Sequence, residues 1–183
     1  MSETLLFFDR QLFFFINHLP HTAFLNTLNL FFSGIGTAGL VWFVLGVILL
    51  LKEEKKDHWF LTPIIAAGAT SWLLVEKIIK PWVARRRPDI EMGALIIGDG
   101  RSDFSFPSGH ATIAWAMAIV LSHKEPKWCW LFYTLALAIS FSRIYLGKHF
   151  PLDVIAGALL GTAIGHGVRY IYHAVKSRGL TQI

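Results

Sequence analysis

Long apolar segments separated by short polar connections constrain this chain more than any other feature of its sequence. A helix that crosses the hydrocarbon layer of a bilayer, about 30 Å thick, needs about 20 mostly apolar residues. Five segments approach that length, at residues 28–51, 58–79, 108–123, 127–141 and 151–172. Backbone polar groups inside a bilayer must be satisfied within each helix, which leaves no place for an open sheet. The sequence therefore predicts an all-α membrane protein, a polytopic bundle of about five transmembrane helices.

The composition supports lipid as the solvent of this chain. Hydrophobic residues make up 54% of it and charged residues only 16%, more apolar than a soluble core of this size requires. The net charge of +5 comes from basic residues in short stretches between the apolar segments. This arrangement indicates anionic lipid head groups as partners and argues against nucleic acid. Cys129 is the only cysteine, which excludes an intramolecular disulfide and a cysteine-based metal cluster.

Residues 5–19 differ from the five apolar segments, because Asp9, Arg10 and Asn17 interrupt their Phe and Leu clusters. This pattern predicts an interfacial amphipathic helix, with a sixth span as the alternative. The chain has no internal repeat and no low-complexity tract, so residues 1–183 are expected to form one domain. The sequence leaves the oligomeric state open.

The distribution of basic residues predicts how the bundle is oriented. With five spans, the turns at residues 52–57 and 124–126 share one membrane face with the C-terminus, and this face is rich in Lys and Arg. Cytoplasmic faces carry an excess of these residues. The long polar segment at residues 80–107 and the stretch at residues 143–149 share the opposite face. We therefore expect an integral protein of a bacterial inner (plasma) membrane, with its functional site on the extracytoplasmic side.

Two clusters of polar residues lie at the two ends of the long polar segment, on the side expected to carry the site. Lys80 and Arg87 belong to a basic stretch that directly follows the second span, which alone would indicate a collar that binds head groups. Ser108, Gly109 and His110 open the third span. Ser108 is suited to cap a helix, and a helix N-terminus offers free N–H groups to an anion.

A third cluster contains Arg143, His149 and Asp153. A spacing of four residues lets His149 and Asp153 face each other on one side of a helical turn. The carboxylate could then accept the Nδ1–H of the imidazole and leave Nε2 as a nucleophile. Taken alone, a histidine near a helix start is more often a structural residue.

Together the three clusters meet the needs of phosphoryl transfer, in which catalysis consists mostly of positioning and charge stabilisation. We expect His149 to attack phosphorus, and His110 to act as general acid and base, protonating the leaving oxygen and then activating water. Asp153 is expected to orient His149. The residues expected to bind the phosphate oxygens are Lys80, Arg87, Ser108, Gly109 and Arg143.

The order and spacing of these residues resemble the three-part signature of the type 2 phosphatidic acid phosphatase superfamily. The signature is present as K-x6-R-P, P-S-G-H and S-R-x5-H-x3-D within residues 80–153. The resemblance implies a helical bundle that hydrolyses lipid phosphates through a phosphohistidine, with the roles given above and with no metal ion or cofactor. Because the family also has soluble branches, the hydropathy of this chain points to a membrane branch.

The substrate is the least constrained of these predictions. We favour an isoprenoid diphosphate of the undecaprenyl type, because Arg85 and Arg86 could meet a second phosphate, although they could also bind head groups. Phosphatidylglycerol phosphate, phosphatidic acid and lipid A are the alternative lipid substrates. Asp103, in the polar segment, is a further candidate for substrate contact. Two other function classes remain, a lipid-to-lipid phosphotransferase and a non-enzymatic anion-binding membrane protein.

Overall fold

The computed structural model describes residues 3–52, 59, 61–98 and 103–178, and these ranges contain helices and no strands. The predicted all-α class is therefore confirmed. The α-helices in the described ranges are α1 Glu3–Asn17, α2 Ala23–Ile35, α3 Leu40–Lys52, α4 Thr62–Trp72, α5 Lys80–Val83, α6 Gly109–Lys124, α7 Cys129–Tyr145 and α8 Pro151–Ser177.

Two helices of the described chain are long and apolar enough to cross a membrane, Thr62–Val83 with 22 residues and Pro151–Ser177 with 27. A third span forms if α2 and the segment Thr37–Lys52 cross together, bent by 54°. The predicted segments 108–123 and 127–141 correspond to α6 and α7, which have 16 and 17 residues.

The segment at residues 28–51, predicted as one helix, is broken at the 3-10 turn Thr37–Gly39. Ala38 and Gly39 have φ angles of 51° and 74°, both in the left-handed region. Gly34 and Gly36 precede the turn, and glycine is a poor helix former. Close packing also requires Gly36, because an added Cβ would lie 2.8 Å from Cγ2 of Ile139.

Helix α4 runs without interruption through a π-helical segment, Leu73–Ile79, into the short helix α5. Residue 58, where this span was predicted to begin, lies outside the described residues, and the helix extends past the predicted end to Val83. Ala84 ends it in the left-handed conformation, with φ 50°, and donates its N–H to the carbonyl of Lys80 at 2.9 Å. This reversal leads the chain back across the end of the helix.

Helices α6 and α8 pack closely through a stripe of small residues on α8. A Cβ added at Gly157 would lie 2.7 Å from the Ser108 carbonyl oxygen, and one at Gly165 would lie 2.8 Å from that of Ala116. Gly161 faces the Thr112 backbone even more tightly. The stripe therefore serves packing within the chain, and it fixes the start of α6 against the start of α8.

Helix α1 lies against the bundle through three residues spaced by four, Asp9, Phe13 and Asn17, which are all buried. Asn17 donates to the carbonyls of Leu95 and Tyr145, both at 2.9 Å. The opposite face exposes apolar side chains, among them Phe15, which is 71% exposed. Large exposed apolar side chains continue around the bundle, including Leu51, Trp82 and Leu159. Such an outer surface is suited to lipid contact.

Candidate active site

One cavity of about 380 Å³ brings together five of the predicted site residues, which are Lys80, Arg87, Gly109, His110 and His149. Its walls come from the break between α2 and α3, the π-helical segment, the reversal after α5 and the start of α6. The three sequence clusters therefore meet in space, although Lys80 and His149 are 69 residues apart in the sequence.

The side chain of Asp103 lies on the two cations of the first cluster. Its Oδ2 is 2.6 Å from Nζ of Lys80 and 3.0 Å from Nη2 of Arg87, and its Oδ1 is 3.2 Å from Nε of Arg87. Burial by itself would raise the pKa of Asp103, but the hydrogen bonds and charges of Lys80 and Arg87 outweigh it and hold that pKa well below its usual range. Lys80 also contacts Glu76, at 2.7 Å.

The Arg87 guanidinium connects this cation pair to His149. Its Nη1 lies 3.0 Å from Nε2 of His149 and donates to the Lys148 carbonyl at 2.6 Å. His149 precedes α8 and does not belong to a helical turn, and its backbone N–H donates to the Arg143 carbonyl at 3.1 Å. The loop between α7 and α8 thus turns the imidazole toward the cations.

The predicted contact between His149 and Asp153 is indirect. Nδ1 of His149 lies 3.7 Å from Oδ2 of Asp153, which is beyond hydrogen-bond distance. The Ser105 hydroxyl bridges them, because it donates to Asp153 Oδ2 at 2.5 Å and lies 3.3 Å from His149 Nδ1. The expected helical-turn geometry fails because Phe150 caps α8 and leaves His149 outside the helix.

Asp153 is completely buried and bound on both oxygens. Oδ2 also accepts the Phe150 N–H at 2.8 Å, and Oδ1 accepts Nη1 of Arg85 at 2.6 Å. Arg85 places Nη2 against Oδ2 of Asp9 at 2.5 Å. Its guanidinium is therefore paired with two carboxylates, and it is not among the residues that line the cavity.

The surroundings of His149 favour its neutral form. Burial lowers the pKa of its imidazole well below the ordinary value, and the positive charges of Arg87, Arg143 and Lys80 lower it further. Because Arg87 is a donor only, the acceptor lone pair of the neutral ring is assigned to Nε2 and its proton to Nδ1, which faces Ser105.

The start of α6 supplies three further predicted residues, Ser108, Gly109 and His110. Ser108 is buried and caps the helix, with Oγ accepting the Ala111 N–H at 3.5 Å. Gly109 packs against the π-helical segment, since an added Cβ would lie 3.0 Å from Oε1 of Glu76. His110 Nε2 is 3.5 Å from Oγ1 of Thr37. The helix N-terminus thus opens toward the cations.

Arg143, on α7, is buried and donates to the Ser33 hydroxyl of α2. Its positive charge adds to the effects of burial and of Arg87 in lowering the pKa of the His149 imidazole. Among the described residues, no three His, Cys, Asp or Glu side chains are grouped so that they could hold a metal ion. The donors available for an anion at this site are instead cationic side chains and backbone N–H groups.

Comparisons with known proteins agree with this geometry. The family model of the PAP2 superfamily matches residues 58–177. The chain is 35% identical over 160 residues to the undecaprenyl-diphosphatase of Sulfolobus acidocaldarius, covering 86% of this chain and 75% of that protein. It is 28% identical over 193 residues to the lipid A 4'-phosphatase of Porphyromonas gingivalis, covering 97% and 78%.

A solved structure shares the fold. The transmembrane PAP2-type phosphatidylglycerolphosphate phosphatase of Bacillus subtilis superimposes with a TM-score of 0.76 at 23% identity, over 95% of this chain and 89% of that one. The two described helices that are long and apolar enough to cross a membrane make the protein an integral membrane protein. The chain belongs to the PAP2 superfamily, and it is a hydrolase that acts on phosphoric ester or anhydride bonds of lipids.

Proposed function

We propose that this protein hydrolyses a lipid phosphate through a covalent phosphohistidine formed on His149. The observation that carries the proposal is the orientation of the imidazole. Its Nδ1 faces Ser105 and Asp153, whereas its Nε2 faces Arg87 and the cavity. A neutral ring held in this way directs its lone pair at the place where cations would hold a phosphate.

The first step breaks the bond between phosphorus and the leaving oxygen of the lipid while Nε2 of His149 bonds to phosphorus. Lys80, Arg87 and Arg143 bind the equatorial oxygens, and the start of α6, with Ser108 and Gly109, adds hydrogen-bond donors. In this step Nδ1–H of His149 becomes part of a cation, which Asp153 stabilises through Ser105.

His110 handles the protons of both steps. Its imidazolium donates a proton to the leaving oxygen, and the neutral ring then takes a proton from the water that attacks phosphorus. The second step breaks the bond between phosphorus and Nε2, releases inorganic phosphate and restores both histidines. The position of His110 in the same cavity as His149 supports this role.

An isoprenoid diphosphate is the substrate we favour, since a relative that shares 35% of the aligned residues is an undecaprenyl-diphosphatase. The lipid A 4'-phosphatase relative supports lipid A as the main alternative, followed by phosphatidylglycerol phosphate and phosphatidic acid. Arg85 no longer supports a second-phosphate site, because it pairs with Asp9 and Asp153. The preference for an isoprenoid diphosphate therefore rests on the similarity to the undecaprenyl-diphosphatase.

The membrane arrangement we propose is one domain of about five spans, with α1 lying in the interface. The tight packing of α6 between α7 and α8 supports spans at both of the shorter helices. Both ends of the bundle carry many basic residues. Once the cations assigned to phosphate binding are set aside, more Lys and Arg remain at the end opposite the site, which supports an extracytoplasmic site in a bacterial inner membrane.

The function is tested by phosphate release in detergent from undecaprenyl diphosphate, lipid A, phosphatidylglycerol phosphate and phosphatidic acid, with excess chelator present. We expect release that resists the chelator and is abolished in His149→Ala. Release that survives this substitution in folded protein would contradict the mechanism. Transfer of phosphate to a second lipid without free phosphate would instead identify a phosphotransferase.

A further inference from the structure

We propose that Arg85 and Asp9 are positioning residues for the reaction, because they hold Asp153 in the place from which it and Ser105 orient His149. The inference rests on the proposed function of His149 and adds two residues outside the cavity. It also gives helix α1 a part in the active site.

The two residues form a continuous chain of contacts to the nucleophile. Asp9 Oδ2 pairs with Nη2 of Arg85 at 2.5 Å, and Nη1 of Arg85 pairs with Oδ1 of Asp153 at 2.6 Å. Oδ2 of Asp153 then accepts the Ser105 hydroxyl, which reaches His149. Each Asp153 oxygen therefore has its own role, one facing Arg85 and one facing the imidazole.

Burial makes these contacts obligatory. The side chains of Asp9 and Asp153 have no exposed surface, and that of Arg85 is 13% exposed. A buried carboxylate without a partner is strongly unfavourable, and the bidentate fork of an arginine can satisfy two carboxylates at once. Without Arg85, Asp153 would have to move or change its partners, and Ser105 would follow it.

Helix α1 is fixed to the start of α8 by the same aspartate. Oδ1 of Asp9 accepts the Leu152 N–H, in the first turn of α8, at 2.8 Å. The Arg85 guanidinium also stacks 4.3 Å from the ring centroid of Phe150, which itself lies 5.2 Å from the ring of Phe13. The loop that carries His149 is therefore packed between α1 and the Arg85 side chain.

The alternative is that these contacts only hold α1 to the bundle. A structural role would change stability without a selective change in turnover. A positioning role instead changes kcat and leaves KM nearly unchanged, because the residues that bind phosphate oxygens are not in contact with Asp9. In a positioning role, Asp9 acts through Arg85. The effects of the two substitutions on kcat are then not additive.

The experiment compares Asp9→Asn, Arg85→Gln, Arg85→Lys and the double variant Asp9→Asn/Arg85→Gln in phosphate release from undecaprenyl diphosphate and phosphatidylglycerol phosphate. Asn keeps an oxygen for the Leu152 N–H. Arg10→Gln is the matched control, because Arg10 neighbours Asp9 on α1 and is exposed. Elution as a single species and the thermal unfolding midpoint in detergent show which variants are folded.

We expect Arg85→Gln to lower kcat on the order of 10- to 100-fold with KM little changed, as for a misplaced reacting group. Arg85→Lys recovers part of this loss, and the double variant is no slower than Arg85→Gln alone. If folded variants turn over like Arg10→Gln, or if only KM changes, the positioning role is wrong. If Arg85→Gln does not fold, the same comparison of kcat and KM with Arg10→Gln is made for Asp9→Asn and Arg85→Lys, and it decides whether the positioning role holds.

The parent and His149→Ala separate this inference from the proposed function. Activity in His149→Ala would overturn both. An active parent and an inactive His149→Ala, with Asp9 and Arg85 variants equal to the control, would overturn the positioning role alone.

Discussion

Nε2 of His149 lies 3.0 Å from Nη1 of Arg87. Because a guanidinium nitrogen only donates, the imidazole presents its lone pair to the same group that would bind a phosphate oxygen. The proposed nucleophile and the proposed anion site are therefore oriented toward each other before substrate binds.

The pH dependence of turnover should reflect the neutral state of His149. Burial and the charges of Arg87, Arg143 and Lys80 lower its pKa below the ordinary value of 6.5, so the ring stays neutral as the pH falls through 6.5. Activity that depends on the neutral ring is lost only at the lower pH where His149 becomes protonated. We expect the acidic limb of kcat/KM to lie below pH 6.5, and a limb at or above that value would contradict the assignment.

Asp103→Asn should strengthen inhibition by inorganic phosphate or vanadate. The Asp103 carboxylate occupies Lys80 and Arg87, and an anion must compete with it for the same donors. Because the side chain of Asp103 is 36% exposed, solvent screens the effect, and we expect a decrease in the inhibition constant of about two- to fivefold. Asp89→Asn, at an exposed position, is the control. Weaker inhibition in Asp103→Asn would mean that Asp103 organises the cations for the anion.

Ser105→Ala should lower kcat by about tenfold, since it leaves buried polar groups without their bridge. The substitution removes the hydroxyl between His149 Nδ1 and Asp153 Oδ2. Ser140→Ala provides a comparison, because Ser140 is also buried and accepts a hydrogen bond from Trp115 at 3.2 Å. Steady-state kinetics of folded protein give the answer. An unchanged kcat would show that His149 and Asp153 close their 3.7 Å gap directly.

Gly161→Ala should destabilise the bundle by about 1–3 kcal/mol, the usual cost of overpacking. An added Cβ meets the Thr112 backbone of α6, and backbone cannot move aside as a flexible side chain can. Gly167→Ala is the matched control on the same helix, because a Cβ there has nothing within 4 Å. Thermal unfolding in detergent should separate the two variants, and equal midpoints would contradict the packing account.

The sequence predicted the helices and the convergence of the signature residues. The length of an apolar segment indicates a helix without any knowledge of its neighbours. The five predicted residues that line the cavity belong to motifs that the expected topology places at one end of the bundle. The break at Thr37–Gly39 was missed, because its glycines lie within an otherwise apolar segment. Glycines spaced closely in an apolar segment can indicate either close helix packing or a break in the helix. The positions of the neighbouring helices decide between the two.

The partners of the signature residues could not be predicted from the sequence. Asp9 is 76 residues from Arg85, and Ser105 is 48 residues from Asp153, so no local periodicity relates them. Asp9 resembled a polar residue of an interfacial helix, and Arg85 one member of a basic run. Their buried pairing depends on how α1 docks on α8, which only the tertiary structure shows. The one local signal was Ser105, two residues before the P-S-G-H motif.

The most direct test of the central claim is to trap phosphate on the protein. His110→Ala should slow hydrolysis of the intermediate more than its formation when the leaving group is itself a phosphate, because a phosphate needs little protonation to depart. This variant is mixed with an isoprenoid diphosphate labelled in its terminal phosphate and quenched rapidly under alkaline conditions. We predict an alkali-stable, acid-labile label on a peptide that contains His149, and no label in His110→Ala/His149→Ala. Product formation by the parent without any trapped label, or a label located on another residue, would contradict the account.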